Sequence, residues 1–337
     1  MAQTLVYVSC VKSRRIDVFS LDPESGDIQL RQQLDTPGAP QPLRFSADQR
    51  VLYAGAKAEN SVLAFAIAPD SGELMLLGST PASGDPTYVS SDRAGRVAFC
   101  ASYDGNCLDV FPLDANGLPG PASQHESGLP HAHACLMDGS NQWLLVPMLG
   151  EDAIRIYRLG DDGRLTPNDP PMFKVGQGSG PRHLVFSPDN RQVFCLNELD
   201  CSIDSFDFSA ESGQLTLKHS VNALPPEFSG KPWAAELRIT PDGRFIYASE
   251  RTASVIAAFA IEAGGRLRPL GHYPTETQPR GMGIDAAGRW LIVAGQRSNR
   301  LTVYAIDPAT GRLDARHSHA TGLDPICVEF GTRQGAV

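Results

Sequence analysis

A chain of 337 residues can hold two ordinary domains or one large repeat fold, and its net charge of −9 weighs against nucleic acid as a partner, since phosphate recognition calls for a basic patch. Hydrophobic residues at 42% suffice for a sizeable core, yet no run approaches the roughly 20 apolar residues that cross a membrane as a helix. The opening MAQTLVYVSC carries no basic leader, so a soluble, unexported, cytoplasmic protein without membrane contacts is expected.

The first predicted element is the strand TLVYVSC, starting at Thr4. Similar short runs, rich in aromatic and β-branched residues, recur as VLYAGA from Val51, VAFCAS from Val97, WLLVPM from Trp143, QVFCLN from Gln192, FIYASE from Phe245 and WLIVAG from Trp290. Each of these six follows a tight turn: FSADQR ending at Arg50, SSDRAGR at Arg96, DGSNQ at Gln142, SPDNR at Arg191, TPDGR at Arg244 and DAAGR at Arg289. Asp, Asn and Gly close such turns through side-chain hydrogen bonds and tolerance of positive φ, so each turn joins the strands of a hairpin. A second marker, a Gly-centred turn followed by an apolar residue, appears as ESGDI, DSGEL, ANGLP, DDGRL, ESGQL, AGGRL and ATGRL. Seven copies spaced about 45 residues apart match four strands per propeller blade.

The chain ends complement each other. The strand from Thr4 matches the second strand of a hairpin with no first strand before it, and LDPICVEF from Leu323 matches a first strand with no second after it. Together they complete one blade and remove the open seam of the ring. The expected fold is an all-β, seven-bladed β-propeller with four-stranded blades, a single domain over residues 1–337. Cys10, Cys100, Cys107, Cys135, Cys195, Cys201 and Cys327 are odd in number and lack CxxC spacing, so they are expected to be buried and reduced, not bridged or zinc-bound.

Positions that symmetry makes equivalent but that carry unlike polar residues are the candidates for function. Nine residues before the last residue of each hairpin turn stand Gln41, Thr87, His133, Arg182, Ala235 and Arg280, with Ile326 matching in the closing blade. These should ring one mouth of the central channel. Seven residues after the turn stand Lys57, Tyr103, Leu149, Glu198, Arg251 and Gln296, where the second strand returns to the same mouth. His133, Arg182, Glu198, Arg251 and Arg280 are therefore expected as one cluster, the candidate active site. His131 and His133 resemble a His-x-His metal pair, but no further ligand joins them, so no metal and no cofactor are expected. His183 should point to the other strand face, Trp143 and Trp233 should be core or channel lining, and Glu236 should support the site from behind.

An Arg-rich pocket suits an anionic small molecule, because guanidinium groups bind carboxylate or phosphate bidentately. Glu198 or His133 could act as acid or base, with Arg182 stabilising a developing oxyanion. No GxSxG elbow, Walker loop or Rossmann fingerprint is present, which leaves water as the nucleophile. Arg251, Arg280, Gln41, Tyr103, Lys57 and Gln296 are then the substrate-binding candidates.

The segments GPRHLVFSPD from Gly180, FCLNELDCSIDSF from Phe194, WAAELRITPDGR from Trp233, ERTASVIAAF from Glu250 and PTETQPRGMGID from Pro274 resemble the propeller-type 6-phosphogluconolactonase family, related to fungal carboxymuconate-lactonising enzymes. The resemblance spans essentially the whole chain. It implies a hydrolase that opens a phosphorylated sugar lactone, 6-phospho-D-glucono-1,5-lactone, to 6-phosphogluconate in the oxidative pentose phosphate pathway without a required metal. In the related muconate-lactonising enzymes a His, an Arg, a Glu and a further Arg are implicated at the channel mouth, and by motif these fall on His133, Arg182, Glu198 and either Arg280 or Arg251. Two alternatives are a lactonising isomerase acting on a carboxymuconate-like dicarboxylate and a non-catalytic binding propeller.

Overall fold

The structure, a computed structural model, describes residues 4–332; the first three and last five residues of the expected domain lie outside them. Seven antiparallel four-stranded sheets follow one another as blades. Blade 1 joins the C-terminal strand Pro325–Thr332 to three strands between residues 4 and 35, and blades 2 to 7 occupy residues 39–81, 86–127, 136–174, 181–222, 234–274 and 279–320. The predicted closure is present: Thr4–Cys10 pairs with Pro325–Thr332 on one side and with Arg15–Leu21 on the other.

The turns form as their residues dictate. In blade 7 one carboxylate oxygen of Asp285 accepts from the backbone N–H groups of Arg289 and Trp290, both at 2.7 Å, which folds DAAGR back into the hairpin. The Gly-centred turns join the third strand of each blade to the outermost one and lock neighbouring blades together. Gly311 at φ 70° lies so close to Phe245 of blade 6 that a β-carbon there would stand 2.3 Å from the ring, and its carbonyl accepts the Tyr247 hydroxyl at 2.9 Å. Gly72 and Tyr7 repeat that bond between blades 2 and 1 at 2.8 Å. The core is a series of apolar seams between adjacent blades; the seam between blades 1 and 2 packs Leu5, Tyr7, Leu52, Leu63 and Phe65. All seven cysteines are buried and unbridged, and Trp143 is core, as expected.

Blade 4 departs from the pattern. Its innermost strand is reduced to Leu136–Met137, and the segment before it is held by the Ala132–Met148 bridge and by a bond from the His133 N–H to the Pro147 carbonyl at 3.0 Å.

Candidate active site

The equivalent positions meet at one mouth of the channel, and the backbone device that puts them there is a β-bulge. In blade 5, Pro181 pairs with Asn197 and His183 with Leu196, leaving Arg182 as the extra residue. Blades 3 and 7 do the same with Thr87 and Arg280, and the closing blade with Ile326. In blades 2 and 6 the irregularity spans two residues, Gln41–Pro42 and Ala235–Glu236. A bulge frees its extra residue from the ladder and re-aims its side chain. Here that direction is the axis: Gln41, Thr87, Arg182, Arg280 and Ile326, joined by His133 from the irregular segment of blade 4, line a neck of about 30 Å³, room for a water or two.

Arg182 is 2% exposed. Its Nε donates to Glu198 at 2.8 Å, and its Nη1 donates to the Ala235 carbonyl and, at 3.1 Å, to His183 Nε2. Arg251 approaches the same Glu198 oxygen at 3.0 Å, donates to the Trp233 and Ala234 carbonyls, and lies 3.9 Å from the Trp233 ring centre. Trp233 Nε1 donates to the other oxygen of Glu198 at 3.2 Å. Burial opposes ionisation of Glu198, but Arg182 and Arg251 outweigh it and hold the carboxyl below its ordinary range. Arg280 differs from its two neighbours: its guanidinium has no hydrogen bond or ion pair among the described residues. Burial and repulsion from Arg182 lower both Arg251 and Arg280, and a guanidinium remains cationic at neutral pH all the same.

His133 is 5% exposed, and its Nδ1 is buried without a hydrogen-bond partner. Burial first, then the charge of Arg182, holds the imidazole well below its ordinary pKa, so the ring is neutral. Tyr103 meets His133 edge-on at 5.9 Å between ring centres and stacks on His131 at 4.2 Å. Of the remaining predicted residues, Gln296 lines a cavity beside the cluster. Lys57 lies apart from it, half exposed and 3.7 to 3.8 Å from the carboxylates of Asp104 and Asp85.

Two expectations are corrected. His183 does not turn to the opposite strand face: the bulge resets the alternation, and His183 lines the neck, 5.2 Å from the His133 ring. It accepts from Arg182 at Nε2, so it carries its proton on Nδ1 and donates it to Glu236 at 2.8 Å. Trp233 is not core: it is 37% exposed and lies at the mouth cluster, over Arg251 and bonded to Glu198. At the neck Glu236 does support the site, within a network whose other members the sequence reading did not name: Glu329 binds both Arg44 and Arg238, Arg44 donates to the Tyr88 hydroxyl, and Arg238 stands 3.6 Å from Glu236.

A seven-bladed propeller whose mouth joins clamped guanidinium groups, one free guanidinium and a neutral imidazole has the parts for opening an ester at a polarised carbonyl. The family model described as lactonase, 7-bladed beta-propeller, matches residues 5–330. A 6-phosphogluconolactonase of Yersinia pestis is 39% identical over 332 residues, 98% of this chain and 99% of the relative, and one of Serratia proteamaculans is 39% identical over 97% and 98%. Among solved structures, a periplasmic gluconolactonase of Pseudomonas aeruginosa superimposes with a TM-score of 0.92 at 28% identity, covering 99% of this chain and all of the other. The chain belongs to the seven-bladed β-propeller lactonase family and is a hydrolase of lactones.

Proposed function

We propose that this lactonase hydrolyses 6-phospho-D-glucono-1,5-lactone to 6-phosphogluconate, the reaction of the oxidative pentose phosphate pathway, at the mouth built around His133 and Arg280. The observation that supports an anionic substrate is the charge at the mouth: Arg182 and Arg251 share the carboxylate of Glu198, and Arg280 has no ion pair among the described residues, with Asp324 and Glu236 acting on it only at longer range. A phosphate monoester, about −1.5 to −2 at neutral pH, is drawn to such a mouth.

The contacts divide the roles. Glu198 is engaged by two guanidinium groups and an indole and is held ionised, which makes it a weak base and a strong anchor for Arg182 and Arg251. His133 is also held to a low pKa, but its ring makes no hydrogen bond among the described residues, so unlike Glu198 it is free to take a proton from a water beside it. With the lactone carbonyl against Arg280, a water beside His133 attacks C1 and gives its proton to the imidazole. The oxyanion that forms is stabilised by fixed positive charge. When the C1–O5 bond breaks, the imidazolium returns the proton to O5, leaving a carboxylic acid that ionises. Seven buried, unbridged cysteines support a reducing, cytoplasmic setting.

The test is a rate of acid release at fixed pH from phosphorylated and unphosphorylated gluconolactone, each corrected for spontaneous opening. A kcat/KM larger by tenfold or more for the phosphorylated lactone supports the reading, and equal values overturn the phosphate assignment.

A further inference from the structure

The neck of about 30 Å³ cannot hold a sugar, so the body of any substrate lies outside it. At the seam between blades 7 and 1 on the same mouth is a cavity of about 480 Å³, a size suited to a small molecule, lined by Lys12, Gln278, Gln296, Asn299 and Asp324 among others. Gln278 and Asp324 stand two residues before Arg280 and Ile326, which line the neck. The cavity therefore adjoins the free guanidinium, and the charge of Asp324 acts on it.

Asp324 is held in the left-handed region at φ 61°. The matching residues entering three other inner strands are also left-handed, Gly180 at 67°, Gln278 at 58° and His131 at 52°. Glycine takes this conformation freely, while another side chain meets steric opposition, so the backbone here aims three side chains, Asp324, Gln278 and His131, from equivalent positions. Asp324 Oδ2 is 3.8 Å from the exposed ammonium of Lys12. Asp324 Oδ1 is buried with no hydrogen-bond partner. A buried carboxylate oxygen without a donor is an acceptor awaiting one. Beside it, Gln278 donates to Gln296 Oε1 at 2.9 Å and accepts from Arg297 at 2.6 Å, which leaves the Gln296 amide nitrogen to donate to a ligand.

We infer that this cavity is the subsite for the hydroxylated ring of the lactone, and that Asp324 is a specificity-determining residue accepting the hydroxyl on C2. The inference rests on the lactonase reading. C2 is bonded to the carbonyl carbon, so a carbonyl placed on Arg280 carries that hydroxyl toward the neighbouring carboxylate, where an oxygen stands ready.

The experiment compares kcat/KM of the wild type and Asp324→Gly on 6-phosphogluconolactone and on its 2-deoxy analogue. Glycine takes a left-handed backbone freely and stands at the matching position as Gly180, so the variant keeps the local fold and removes the acceptor. The wild type should prefer the parent lactone by about tenfold to a hundredfold, the worth of a hydrogen bond to a charged acceptor. Asp324→Gly should lose most of that factor on the parent and treat both lactones alike. Equal losses on both lactones, or a wild type indifferent to the 2-hydroxyl, overturn the assignment and leave lactone hydrolysis standing. A wild type inactive on both overturns the lactonase reading itself and the subsite with it.

Discussion

Replacing His133 by alanine separates chemistry from folding. The imidazole is neutral, makes no hydrogen bond among the described residues, and touches its surroundings only through ring contacts such as Tyr103 and His183. Its removal strands no charge and breaks no ion pair, so the cost is a small cavity, about 1–2 kcal/mol of stability. If His133 moves the proton, activity should fall about a hundredfold to ten-thousandfold, equivalent to roughly 3–5 kcal/mol of transition-state stabilisation. Single-turnover rates on 6-phosphogluconolactone, corrected for spontaneous opening, read the first quantity, and urea denaturation reads the second. A variant within about threefold of wild-type kcat/KM would falsify the assignment of the proton to His133. So would an activity loss that merely tracks unfolding.

Glu198→Gln should behave in the opposite way: two guanidinium groups lose their counter-charge, one of them on the 2%-exposed Arg182, and urea denaturation should show a loss of about 3–5 kcal/mol. An unchanged midpoint would contradict its anchoring role. Arg280→Gln removes one of the cations that depress His133, so the His133 pKa rises toward its ordinary value. The acid limb of kcat/KM, measured on unphosphorylated gluconolactone so that no phosphate titrates, should therefore move to higher pH; a fixed or downward-moving limb refutes the coupling. Gly311→Ala, at φ 70° and against Phe245, should cost about 2–4 kcal/mol while leaving kcat unchanged, because it opens the seam between blades 6 and 7 far from the mouth.

What could be read from the residues, and what could not, follows from symmetry. Turn chemistry recurs because each blade needs the same hairpin, so the seven copies fixed the register and brought Gln41, Thr87, His133, Arg182 and Arg280 to one ring. The bulge at that ring was not read: strict alternation was assumed through it, which misplaced His183 by one face. The bulges themselves carry a faint signal in the Pro that precedes most ring positions, since Pro cannot donate to a ladder. The partners of Glu236, namely Arg44, Arg238 and Glu329, were illegible for a different reason. Arg44 and Glu329 are 285 residues apart and meet only because the ring closes. Lys57 occupies a symmetric position but takes Asp85 and Asp104 as local partners, a competition that internal repeats cannot weigh. Trp233 precedes a ring position whose own side chain is only a methyl group, which leaves the indole free to cover Arg251.

The central claim is that a single mouth, with Arg280 as the free cation and His133 as the free base, receives the lactone. A crystal structure with 6-phosphogluconate bound tests it most directly. The account predicts the product carboxylate within hydrogen-bond reach of Arg280 and His133, with the polyol chain running toward Asp324. Product bound on the opposite face of the ring, or at this mouth without contact to either residue, would contradict it.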